Sequence, residues 1–145
     1  MPIDPYVANR VQENFYVRKT PILGRLVVVL KGHVPDRGLE LIPQRSRAAL
    51  AGEIHELIVT TEATAAPGGV VNRIAYLGFV EVEAGGVLLV GDDLRIGGRL
   101  IGHLAGYDYA HMPNHMNIVI VGSQDLSGDE LNLELNDPVS FDLPA

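Results

Sequence analysis

The sequence predicts an all-β chain, built as a small antiparallel β-barrel or, alternatively, a β-sandwich, with one or two short helices. Three observations carry that expectation. The 16 glycines and 9 prolines cut the chain into apolar runs of strand length. These runs are rich in β-branched residues, which fit a pleated, half-buried surface. No long helical pattern separates them, so nothing supplies the crossover helices of a parallel sheet. At 145 residues the chain is the size of one domain, long enough to bury roughly two-thirds of its unfolded surface.

Taken in order, residues 1–24 read as an N-terminal arm, with a short helix at 7–16. The core, 25–122, opens on the strand 25–30 (RLVVVL). Residues 46–52 (SRAALAG) offer a serine N-cap, two alanines and a closing glycine, enough for one or two helical turns. Residues 53–61 (EIHELIVTT) alternate in part and predict a strand on which His55 points inward as a hydrogen-bonded core residue. Residues 70–83 (VVNRIAYLGFVEVE) read as a long strand or a hairpin, with Gly78 as a bulge. Strands at 87–90, 93–96, 99–105 and 117–121 follow, and Gly97-Gly98 sits where a tight hairpin turn needs positive φ. The last segment, 123–145, adds strands at 131–135 and 139–143.

Composition narrows the function. With 47% hydrophobic and 20% charged residues the chain has the content of a folded globule. The absence of cysteine excludes disulfides, thiolate metal sites and a cysteine nucleophile, so any metal must be held by histidine and carboxylate. A net charge of −7 opposes nucleic-acid binding. The acids are uneven: Asp125, Asp129, Glu130, Glu134, Asp137 and Asp142 follow Gly122 with no Lys or Arg among them. That segment reads as a solvated edge strand or an acidic extension, or else as a docking surface for a basic partner. No apolar run is long enough to span a membrane and the start lacks a secretory pattern, so the expected location is the cytoplasm. No phosphate-cradling glycine motif and no nucleophile elbow occurs, which argues against a nucleotide cofactor. Exposed β edges and a nearly neutral body suit a homo-oligomer.

Chemistry concentrates in residues 106–117 (GYDYAHMPNHMN), between two predicted strands. His111 and His115 are four apart, but Pro113 disfavours a helix there. The better expectation is a β-turn with Met112 first, Pro113 second, Asn114 third and His115 fourth. Two imidazoles flanking such a turn can share a divalent metal (zinc, iron or nickel), with Asp108, His103 or His33 as a further ligand. Without metal the same pair can serve acid–base catalysis, and the plainest alternative is that both rings merely cap the loop. Candidate catalytic residues are therefore His111, His115, Asp108 and Glu81, the last as a buried carboxylate or as the point where its strand leaves the core. Arg37, Asn114, Asn117 and Tyr107 are candidate substrate-binding residues, Arg37 as a bidentate clamp in the turn that follows His33.

The string of residues 106–117 resembles a signature of small bacterial domains of unknown function, a likeness that implies no activity. The order Gly91-Asp92, Ile96, Gly102, Leu104, Tyr107, His111 is similar to the small subunit of a two-component amino-oxopentanoate thiolase. The first functional expectation is a small enzyme, a metal-dependent lyase, isomerase or cyclase, acting on a small carbonyl or oxygen-rich metabolite. The thiolase likeness implies the alternative, a non-catalytic accessory subunit or ligand-binding module of a larger enzyme.

Overall fold

The computed structural model describes residues 19–144, so the helix expected at 7–16 lies outside the described residues. The chain is all-β. Among the described residues the strands are β1 (Ile22–Val29), β2 (His33–Val34), β3 (Leu39–Glu40), β4 (Ser46–Ala49), β5 (Ile54–Thr60), β6 (Val70–Val71), β7 (Ile74–Ala84), β8 (Gly86–Leu89), β9 (Asp93–Ile96), β10 (Arg99–Asp108), β11 (Asn117–Val121) and β12 (Pro138–Asp142). One large sheet has the order β1-β12-β9-β10-β11-β5-β7-β2, and β1 also pairs with β7. The expected all-β class holds, as one large and mostly antiparallel sheet. Its pairs are antiparallel except β11 with β5, which run parallel from Asn117↔Glu56 to Val121↔Thr60.

Side chains alternate across these two strands as the pleat requires. Leu57 and Val59 of β5, with Ile118 and Ile120 of β11, enter the main core beside Leu26, Leu77, Leu94 and Phe141. Ile58 and Val119 point the other way, into a second cluster with Leu39, Leu41, Val71, Ile74 and Ala105. Residues of the small β3–β6 pair thus cover part of the sheet's outer face. Burial on both faces explains why IVIV and LIV read as continuous apolar runs.

Three local expectations are corrected. Residues 46–52 form no helix: β4 pairs with β8 from Ser46↔Leu89 to Ala49↔Gly86, and Gly52 turns the chain at φ 93°. Burial of Ala49 against the core outweighs the weak helical preference of so short a stretch. The strand expected at 131–135 is a pair of turns, with Asn132 and Asn136 at φ 58° and 72°. Its alternating leucines mimic a strand, but asparagine tolerates the left-handed conformation, and Leu131 and Leu133 reach the core from turns. The one strand of the acidic segment is not an edge, because β12 pairs with β1 on one side and β9 on the other, and the five acids before Pro138 lie outside the strands. Residues 70–83 divide into β6 and β7 where the Glu62 carboxylate accepts from the backbone of Asn72 and Arg73, at 3.2 and 2.7 Å. The Gly97-Gly98 turn has φ 61° and 79°, as its sequence predicts. Among the described residues no helix is long and apolar enough to cross a membrane.

Candidate functional site

The β10–β11 hairpin presents the histidine loop. Its last rung pairs Asp108 with Asn117, and the buried Asp108 carboxylate ties down the loop base. It accepts from Glu40 N at 3.0 Å, Ala110 N at 2.9 Å and Asn117 Nδ2 at 3.2 Å. With these donors engaged, Asp108 acts as an anchor.

The turn itself lies one residue earlier than the sequence suggests. His111 O accepts from Asn114 N at 3.0 Å and from His115 N at 3.3 Å, and the Met112–Pro113 peptide is cis. Proline thus stands third in a turn running from His111 to Asn114, the place a cis proline takes, not second as in a trans turn. The two imidazoles nonetheless converge, with ring centroids 5.0 Å apart and planes inclined by 30°.

A residue absent from the sequence reading completes the group. Glu56 of β5 is the register partner of Asn117 on one side and of Phe79 on the other, which places it on the outer face beneath the loop. His115 Nε2 stands 3.5 Å from Glu56 Oε1, and the His115 ring meets Phe79 edge-on at 5.1 Å. One ligand atom each from Glu56, His111 and His115 lies within 4.8 Å of the other two. Burial pushes the Glu56 carboxyl upward, opposed by the nearby His115, His111 and Arg37. His115 Nδ1 is 2.9 Å from the Asn114 side-chain amide. Two buried polar atoms at this spot, His115 Nε2 and Asn117 Oδ1, have no hydrogen-bond partner. An open cleft of about 470 Å³, lined by Glu53, Ile54, Phe79, Asn114 and His115 among others, adjoins them.

The remaining candidates lie elsewhere or do other work. His33 pairs with Glu130 and, at 3.3 Å, with Asp125, while the exposed His103 sets its Nδ1 2.8 Å from Asp93 Oδ1. Neither belongs to the cluster, whose third member is Glu56. Tyr107 is fully enclosed in the core and donates to Arg45 O at 3.4 Å, so it offers no ligand surface. Glu81 is half-buried and paired with Arg25 at 3.0 Å, and its strand does not leave the core there, because Val80 and Val82 on either side are both core residues. Arg37 lines a second cleft of about 300 Å³ together with Glu40, Asp108, Tyr109 and Ala110. His55 is the core residue expected: its Nδ1 accepts from Met116 N at 3.2 Å and its Nε2 meets Glu53 at 2.8 Å. Glu56 had one sequence signal, a carboxylate in a strand of mainly apolar residues. Alternation alone assigns such a residue to solvent, and only the β5–β11 pairing brings it under the loop.

Fold and site together define an all-β protein that carries a two-histidine, one-carboxylate cluster on the outer face of its sheet. The chain belongs to a family of unknown function, DUF6917, which matches residues 16–142. No curated protein and no solved structure matches it.

Proposed function

We propose that Glu56, His111 and His115 hold a divalent metal ion, and that the ion polarises or deprotonates a small carbonyl or oxygen-rich substrate in lyase, isomerase or cyclase chemistry. The observation that carries this reading is the convergence of three ligand atoms within 4.8 Å, among them a buried His115 Nε2 that makes no hydrogen bond and stands 3.5 Å from Glu56 Oε1. Two neutral imidazoles and one carboxylate suit zinc or iron(II), and three protein ligands leave positions open for water or substrate. A cation there offsets the desolvation of the Glu56 carboxylate and gives His115 Nε2 a bonded partner. Asn114 fits the role of an orienting partner. Asn114 Nδ2 faces His115 Nδ1 at 2.9 Å; turning the amide over would set its oxygen against Nδ1–H and leave the Nε2 lone pair for the metal. Phe79 shields one side of the His115 ring from water.

The test is the metal content of untagged protein dialysed against zinc or iron(II). Wild type is expected to retain stoichiometric metal. Glu56→Gln and the double variant His111→Ala/His115→Ala lose it while keeping the far-ultraviolet spectrum of the β fold. Metal-free wild type, or equal retention in the variants, overturns the proposal.

A further inference from the structure

Chemistry that takes a proton from a substrate needs a group to receive it, and the metal ligands are poorly suited. His111 and His115 give the ion their free lone pairs, and a carboxylate bound to a dication is a much weaker base. Asp108 is committed to its three donors. The acceptor must therefore reach the cleft that adjoins the cluster at His115. Among the described residues that line this cleft, Gly52, Ile54, Phe79 and Asn114 carry no side chain that takes a proton near neutral pH. Glu53 does.

Glu53 lies between the Gly52 turn and β5, and its backbone is pinned on both sides. Its N–H donates to Leu50 O at 3.1 Å, and its carbonyl accepts from Val82 N at 2.8 Å. The carboxylate is held as well. His55 Nδ1 accepts from Met116 N at 3.2 Å, so the ring proton sits on Nε2, which donates to Glu53 Oε1 at 2.8 Å. Arg47 Nη1 stands 3.5 Å from the same oxygen. Met116 follows His115 in the chain, so one buried imidazole joins the Glu53 carboxylate to the loop that carries a ligand. Burial pushes the Glu53 carboxyl up, but His55, Arg47 and the Leu50 backbone outweigh it and hold the group below its ordinary value. It is thus in the deprotonated form that can accept.

We infer that Glu53 is the proton acceptor of this site, and that its substrate is a small hydroxy ketone or hydroxy aldehyde. The inference rests on the metal reading above. The Cα–H bond breaks, its electron pair moves to the carbonyl oxygen to give an enediolate, and the proton passes to a Glu53 oxygen. Return of that proton to the neighbouring carbon completes an isomerisation, so no oxidant or second substrate is consumed.

The experiment uses the full chain loaded with zinc, in D2O with hydroxyacetone, whose hydroxymethylene protons are followed by NMR. Wild type is expected to exchange them for deuterium faster than the metal-free protein does. Glu53→Gln lowers that rate by about a hundredfold to ten-thousandfold, the contribution of a positioned general base, and Glu53→Asp recovers part of it. In cobalt(II)-loaded protein, hydroxyacetone shifts the visible bands equally in wild type and Glu53→Gln, because the variant loses the acceptor and keeps the binding. Equal exchange in wild type and Glu53→Gln, or no exchange by loaded wild type, overturns the inference and leaves the metal centre standing. A Glu53→Gln protein that takes up no metal, or whose cobalt bands no longer respond, overturns it too, by making Glu53 a structural or binding group. Failure of the wild type to take up zinc overturns the metal centre and the inference with it.

Discussion

The five histidines share one side chain, and their surroundings give them different chemistry. Burial pushes His55 below its ordinary value against the pull of Glu53, and its Nδ1 accepts a backbone hydrogen bond, so it is a neutral core residue. His33 is nearly unburied and raised by its bond to Glu130, with Asp125 adding to the shift against a slight desolvation. It joins β2 to the acidic segment at 125–130. A raised histidine contributes stability that is fully present below its ordinary value of 6.5 and is lost as pH rises through the folded value. Glu130, lowered by Ser127 N and by His33, contributes above its ordinary 4.5 and loses that contribution as pH falls through the folded value. The difference in melting midpoint between wild type and His33→Gln is therefore expected to be largest between pH 4.5 and 6.5 and to shrink on either side. Parallel midpoint curves across this range would remove the latch.

At the scale of elements, sequence and structure agree wherever local preference and tertiary demand coincide. Residues 93–96 and 117–121 are β9 and β11 to the residue, because their apolar runs, glycine turns and burial all favour a strand. They part at 46–52 and 131–135, where the local pattern is short and the core decides. Gly78 shows why one element needs its particular residue. The β1–β7 register slips between Leu26 and Val28, and a Cβ on Gly78 would lie 2.2 Å from Val28 O, a backbone atom that cannot rotate away. Gly78→Ala is expected to cost about 1–3 kcal/mol of stability, read from the denaturant midpoint at unchanged slope. An unchanged midpoint would show that the close approach of the two strands is dispensable.

The whole molecule decides the site. Its two histidines are legible in sequence because they are neighbours on one proline-marked loop, but Glu56 is not, since its place under that loop depends on a parallel pairing between strands far apart in the chain. For the same reason His33 and His103, plausible ligands when read along the chain, fall into contacts with Glu130 and Asp93 once the sheet is assembled. Long-range pairing thus replaces two candidate imidazoles with one carboxylate, and turns a bare histidine pair into a set able to hold a cation. The most direct measurement is anomalous diffraction from crystals of untagged, metal-soaked protein, recorded on both sides of the metal's absorption edge. The account predicts one dominant peak about 2.0–2.2 Å from a Glu56 oxygen and from one nitrogen each of His111 and His115. An ordered loop with no peak between those atoms, or a dominant peak beside His33, Asp125 and Glu130, would contradict it.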